Sequence, residues 1–149
     1  MILISPYSRA LRSGKRNPKN YPYWKELISL FKNEQLVQLG VEGEPGLVKD
    51  FRKHLPIKVL KNLIDQCDFW ISVDNFFPHL SHHVGKPGVV IWGISDPQIF
   101  GYSENLNILK DRKNLRANQF DLWDNYTFSE NVFFRAPEIY NQIINFFKK

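Results

Sequence analysis

Phe69-Trp70-Ile71-Ser72-Val73-Asp74-Asn75-Phe76-Phe77-Pro78-His79-Leu80-Ser81-His82-His83-Val84-Gly85 is the stretch from which the fold can be read. Its first five residues form a nearly unbroken apolar, β-prone run closed by Asp74, the pattern of a strand buried on both faces. A short helix is predicted over His79 to Val84, with Gly85 at its C-terminal end. Gly88-Val89-Val90-Ile91-Trp92-Gly93 then repeats the strand pattern. A strand, a helix and a second strand joined so tightly predict a parallel pair with the helix on one face.

Working outward, the same alternation continues in both directions. Ile2-Leu3-Ile4-Ser5 reads as a buried strand, and Trp24, Leu27, Ile28 and Phe31 follow helical spacing across Tyr23 to Lys32, just after Pro22. Leu36-Val37-Gln38-Leu39 is a second strand ending at Gly40. Pro56 opens a helix whose buried face is predicted to hold Val59, Leu60, Leu63 and Ile64. A last helix runs from Pro137 through Ile139, Ile143, Ile144 and Phe147. Asp96 to about Tyr126 shows no regular period and reads as a long functional loop wrapping back across the sheet. The fold class expected is α/β, one parallel sheet with helices on both faces.

Composition sets the outer bounds. At 149 residues with 43% hydrophobic and 23% charged residues, the chain has the make-up of one folded domain, not of a disordered segment. No apolar run approaches the ~18 residues a membrane helix needs. The N-terminus lacks the basic region of a signal peptide, and a lone Cys67 forms no internal disulfide; both fit a cytoplasmic location. On that expectation, Asn125-Tyr126-Thr127 matches the glycosylation acceptor pattern by coincidence.

Charge is unevenly spread. Residues 1–61 hold 12 basic and 5 acidic side chains, and the remainder holds 8 and 10. Arg9, Arg12, Lys15, Arg16 and Lys19 fall in one stretch with no acid, and its Gly14 and Pro18 predict a loop. The loop is a solvated surface segment or an anion site for a phosphate or nucleic-acid backbone. A nucleic-acid-binding module using residues 9–19 is the weaker of these readings, since no aromatic residue interleaves the basic run. In an open α/β sheet, ligands bind beyond the carboxyl ends of the strands. That rule singles out Tyr7–Arg9, Gly40–Glu44, Asp74–His79 and Gly93–Pro97. Neither a Walker loop nor G-x-G-x-x-G is present.

Asp74-Asn75-Phe76-Phe77-Pro78-His79-Leu80-Ser81, Val84-Gly85-Lys86-Pro87 and Trp92-Gly93-Ile94-Ser95-Asp96-Pro97 resemble, in order, D-S-G-P-M-H-L-A, L-G-K-P and F-G-P-T-D-P. These are patterns of glycosyltransferase family 9, the ADP-heptose:lipopolysaccharide heptosyltransferases. Lys19-Asn20-Tyr21-Pro22 resembles that family's K-x-W-P, and Gly40-Val41-Glu42-Gly43-Glu44 resembles its G-G-x-x-E. Ala136-Pro137-Glu138-Ile139 is similar to the start of its last helix. The likeness extends over nearly the whole chain.

The resemblance implies one Rossmann-like domain over residues 1–149, of the type that forms the C-terminal, donor-binding half of a GT-B fold. It implies a nucleotide-diphosphate sugar as ligand, of the ADP-heptose kind. Transfer to an acceptor hydroxyl would need no metal and no cofactor, with the acceptor-binding half supplied by a separate chain or by self-association. Without that half, the expected alternative is a protein that binds or sequesters the nucleotide without turning it over.

By the same resemblance, Lys19 neutralises the diphosphate and Glu44 accepts from the ribose hydroxyls. The loop Asp74, Asn75, Phe76 to His79 presents backbone N–H groups to phosphate. Ser8, Ser95 and Asp96 complete the expected donor site. Phe76 replaces the pattern's glycine, which predicts a loop that resists positive φ and close backbone approach. The residues leave other roles open: Asp74 as an N-cap, His79 paired to a neighbour, Asp96 capping a turn. His79, His82 and His83 have helical spacing, but no fourth metal ligand is evident, so no metal site is expected.

Overall fold

The computed structural model describes residues 1–148. The chain runs β1 (Ile2–Ser5), α1 (Trp24–Leu30), β2 (Leu36–Gly40), β3 (Phe51–Lys53), α2 (Ile57–Gln66), β4 (Phe69–Val73), α3 (Phe77–Val84), β5 (Val89–Trp92), α4 (Pro97–Phe100), β6 (Leu106–Leu109) and α5 (Ala136–Phe147). All strand pairs are parallel, in the order β3-β2-β1-β4-β5-β6. Register follows the apolar runs: Ile2 lies opposite both Leu36 and Phe69, and Val89 lies opposite both Ile71 and Leu106.

Alternate residues of each central strand enter two different cores, as the two-residue period of a strand requires. Ile2, Ile4, Ile71, Val73, Val89 and Ile91 pack on one face with Trp24 and Leu27 of α1 and Ile139 and Ile143 of α5. Leu3, Val37, Leu39, Trp70, Val90 and Trp92 pack on the other face with Leu60 and Ile64 of α2 and Phe77 of α3. Burial on both sides is why these strands read as continuous apolar runs.

Helix boundaries follow local chemistry. Pro56 precedes α2, and prolines occupy the first turns of α3, α4 and α5, where a missing N–H breaks no helical bond. Gly85 closes α3 in the left-handed conformation (φ 84°), its N–H donating to the carbonyls of Ser81 and His82.

Several expectations need correction. The helix placed at His79 begins at Phe77. Val59 is 40% exposed; in α2 only Leu60 and Ile64 are buried. Two strands were not anticipated. Phe51-Arg52-Lys53 pairs with β2, and the stretch read as one loop from Asp96 contains α4 and edge strand β6. Among the described residues, no helix is long and apolar enough to cross a membrane.

Candidate functional site

The sequence order of the strands reverses between β1 and β4. From β1 the chain goes toward β2, and from β4 toward β5, so the connections diverge at their carboxyl ends and leave a crevice. A cavity of about 1010 Å³ occupies this position. Its lining includes Ser5 at the end of β1, Tyr7 and Ser8 just after it, and Asp74 to Phe77 after β4. Gly40 at the end of β2 and Val41 and Glu44 after it line the cavity with Arg52 and His54. Trp123 and Asp124 also line it, from a segment remote in sequence.

Asn75 ties the two central strand ends together. Its amide donates to the Ser5 carbonyl and Oγ and to the Tyr7 carbonyl, at 3.1–3.3 Å. Its Oδ1 accepts from Ser72 Oγ (3.1 Å) and from the Phe77 N–H (2.9 Å). Asn75, and not Asp74, thus accepts from the first N–H of α3, while the N-cap position itself falls on Phe76, which has no side-chain cap bond. Asp74 instead accepts from Ser95 Oγ at 2.9 Å and lies 3.5 Å from Lys19 Nζ.

Phe76 does not have the backbone that a glycine substitute would be strained into. Its φ is −71° and ψ −22°, ordinary helical values, and the residue is 56% exposed at the crevice. The start of α3 nevertheless offers few donors to an anion. The Phe77 N–H is taken by Asn75, Pro78 has none, and the His79 N–H donates to the Phe76 carbonyl at 3.1 Å. Positive side chains thus matter more here than the helix terminus.

The basic loop supplies them. Asn17 Nδ2 donates to the Arg9 carbonyl, and the Ser8 N–H donates to Asn20 Oδ1, closing the loop at its base. Ser13 donates through Oγ and N–H to Asp124, fastening its outer part. Arg9, Arg12 and Lys19 line the crevice, whereas the Arg16 guanidinium lies 3.8 Å from the Phe128 ring centre. Ser8 Oγ donates to the Asp74 carbonyl at 2.6 Å, a bond that joins the two central loops.

Across the crevice, Gln38 is fully buried in β2. Its side chain donates to the Pro45 carbonyl and accepts from the Leu47 N–H, shaping the loop that carries Glu44. Glu44 Oε2 accepts from the Val41 N–H at 3.2 Å. A side chain at Gly40 would collide with this carboxylate, so glycine is what lets Glu44 fold over the strand end. Burial pushes the Glu44 pKa up, partly offset by the Val41 N–H and by His54. Burial, then Glu44, likewise raises that of Tyr7.

Of the nine residues expected from sequence, Ser8, Lys19, Glu44, Asp74, Asn75, Phe76 and His79 converge on the crevice. Ser95 and Asp96 do not line it. Ser95 acts on Asp74 from behind, and Asp96 caps α4 by accepting from the Gln98 N–H while pairing with both terminal nitrogens of Arg112. His79 Nδ1 shares a 2.7 Å hydrogen bond with the Tyr102 hydroxyl, and His82 stacks on the Tyr102 ring and pairs with Glu104. Among the described residues, no three His, Cys, Asp or Glu side chains converge as metal ligands.

Sequence reasoning missed Arg52, His54 and Trp123. The first two belong to or follow the unanticipated β3. Trp123 lies in the stretch that showed no period, where only the expectation that it wraps back across the sheet pointed its way.

No protein-family model matches the sequence. Lipopolysaccharide heptosyltransferase 1 of Salmonella typhimurium is 26% identical over 115 residues, covering 67% of this chain and 36% of that protein. Two solved structures share the fold over 99% of this chain and 46% of their own. They are E. coli ADP-heptose lps heptosyltransferase II (13% identity, TM-score 0.70) and the iron-containing dodecameric glycosyltransferase TibC of enterotoxigenic E. coli (17%, 0.72). The chain thus spans less than half the length of each of the three. Its architecture is a Rossmann-like α/β layer matching one half of a GT-B fold.

Proposed function

We propose that this chain is a donor-binding half of a GT-B glycosyltransferase and holds a nucleotide-diphosphate sugar in the crevice between β1 and β4. The observation that carries this reading is the convergence of Lys19, Glu44 and the Asp74–His79 loop on one cavity at the topological switch point. Glu44, beside the apolar Leu39, Leu55 and Leu60, suits a nucleoside whose ribose diol donates to a carboxylate. Lys19, with Arg9 and Arg12 nearby, suits the diphosphate.

In transfer, negative charge builds on the departing diphosphate as the glycosidic bond to it breaks. A pre-placed ammonium at Lys19 stabilises that charge. The acceptor hydroxyl and its base come from a separate chain, a further segment or a second subunit. The ADP-heptose named for one structural relative makes that donor the first to test.

Thermal shift and calorimetric titration with ADP, UDP, GDP, CDP and their sugar conjugates test the reading. One nucleotide class should raise the melting temperature. Lys19→Ala should weaken its binding by about tenfold or more, the loss of one charge-assisted contact. Unchanged affinity in Lys19→Ala for every nucleoside diphosphate would overturn the assignment.

A further inference from the structure

Lys19 is a flexible four-carbon side chain, and an ammonium that must be gathered from many rotamers stabilises a developing charge less than one already in place. Here it is held from two directions. Asp74 Oδ2 lies 3.5 Å from Nζ, but that oxygen also accepts from Ser95 Oγ. The Trp123 ring centre lies 4.6 Å from Nζ, within cation–π range. A second carboxylate would also hold the lysine, but it would cancel the charge. An indole face holds it and leaves the charge available.

Trp123 is itself held by an unusual arrangement. The Arg116 guanidinium lies 3.6 Å from the same ring centre, and Arg116 is only 8% exposed. It forms no salt bridge among the described residues. Nη1 donates to the Asp121 carbonyl at 2.7 Å, Nη2 donates to the Gln119 carbonyl, and Nε is buried without a partner.

The same segment is pinned to the end of β5. The Arg116 N–H and Gln119 Nε2 donate to the Ile94 carbonyl at 3.0 and 3.1 Å, and Gln119 Oε1 accepts from the Asp96 N–H. A buried cation bonded only to carbonyls of its own loop is a poor stabiliser of the fold. It does fix Trp123, which with its neighbours Leu122 and Asp124 brings the loop to the crevice.

We infer that Trp123, braced by Arg116, is a positioning residue that fixes the Lys19 ammonium for the diphosphate. The inference rests on the donor-site reading above. It extends the site to residues 116–123, which none of the motifs quoted above contains. Trp123 does not bind the ligand directly in this account; it acts through Lys19.

The test compares each of ADP, UDP, GDP and CDP with its own nucleoside, by calorimetry, in wild-type, Trp123→Ala and Trp123→Phe proteins. Trp123→Ala should weaken the nucleoside diphosphate roughly tenfold and leave the nucleoside unchanged. Trp123→Phe, which keeps an aromatic face, should recover part of that loss. A Trp123→Ala protein with wild-type melting temperature and wild-type diphosphate affinity would overturn the inference. Equal loss for nucleoside and diphosphate would also overturn it, by making Trp123 a general wall of the cavity.

A ligand-free measurement separates failure of the inference from failure of the donor-site reading. Trp24, Trp70 and Trp92 are buried to 2% exposure or less, so acrylamide quenching reports mainly on Trp123. Lys19→Ala should uncover the indole and raise quenching. No change there refutes the Lys19–Trp123 contact even if nucleotides bind. If wild-type protein binds none of the four diphosphates, the donor-site reading fails, and with it the role of Trp123, whatever the quenching shows of the contact.

Discussion

Glu44 occupies a position where a carboxylate is unfavourable for folding. Its pKa is raised chiefly by burial, so the folded state prefers the neutral acid more than the unfolded chain does. The resulting stability is fully present below the unfolded pKa and is lost as pH rises through the higher folded value. Glu44→Gln keeps an acceptor for the Val41 N–H and removes the charge. Its melting temperature should exceed wild type at pH 7, by about 1 °C given solvent screening of a half-exposed group. The difference should vanish near pH 4. Nucleoside affinity should fall in the same variant, because a carboxylate accepts from a diol better than an amide does. Melting curves at the two pH values and one titration check both halves of the prediction. A variant that is stabilised and binds nucleoside as wild type would separate Glu44 from the ribose.

At the scale of elements, what could be read from the sequence depended on burial. β1, β2, β4 and β5 declared themselves because both faces are covered and nearly every residue is apolar. β3 and β6 are edge strands with one open side. Phe51-Arg52-Lys53 is three residues of mixed polarity, and Leu106-Asn107-Ile108-Leu109 sits in a stretch dominated by turns. Their formation depends on pairing with β2 and β5, which no local pattern reveals. The crevice was legible for a related reason. Part of its lining follows two readable strands, whereas Arg52, His54 and Trp123 arrive from elements without a periodic signature. The same limit left Asp74 open as a cap of α3, whereas Asn75 is the side chain that accepts from the Phe77 N–H; both residue types make such bonds and only the three-dimensional neighbours separate them. Asp96 shows how an edge element is then secured. It joins the start of α4 to Arg112, just past β6, and Arg112 followed by the Gln98 N–H holds its carboxyl below the ordinary range. A depressed pKa gives stability that is present above the unfolded value, about 3.9, and lost as pH falls through the folded one. Asp96→Asn should therefore lower the melting temperature at pH 7, with the gap to wild type closing below about pH 4. A gap that persists at pH 2 would assign the loss to packing instead of charge.

Across the whole molecule, the crevice and the opposite end of the sheet are joined through the same two cores. Both cores run the length of the central strands, so β4 connects Asp74 at the crevice with Cys67 and Asp68 just before its other end. Cys67 is 2% exposed, its Sγ donates to the Ile64 carbonyl, and burial pushes its pKa to about 11. The native thiol should resist alkylation at pH 8, since only the thiolate reacts. Labelling should then proceed through unfolding, so its rate measures the population of opened molecules. A nucleoside diphosphate that binds only the folded protein reduces that population by the factor 1 + [L]/Kd. At a hundredfold excess over Kd, Cys67 labelling should slow roughly a hundredfold, although the crevice proposed to hold the ligand lies at the far end of the sheet from the thiol. Timed alkylation with and without ligand, in mild denaturant, reads this directly. A ligand that binds by titration but leaves the labelling rate unchanged would show that Cys67 is exposed by fraying of the last turn of α2. The two ends of the sheet would then open independently.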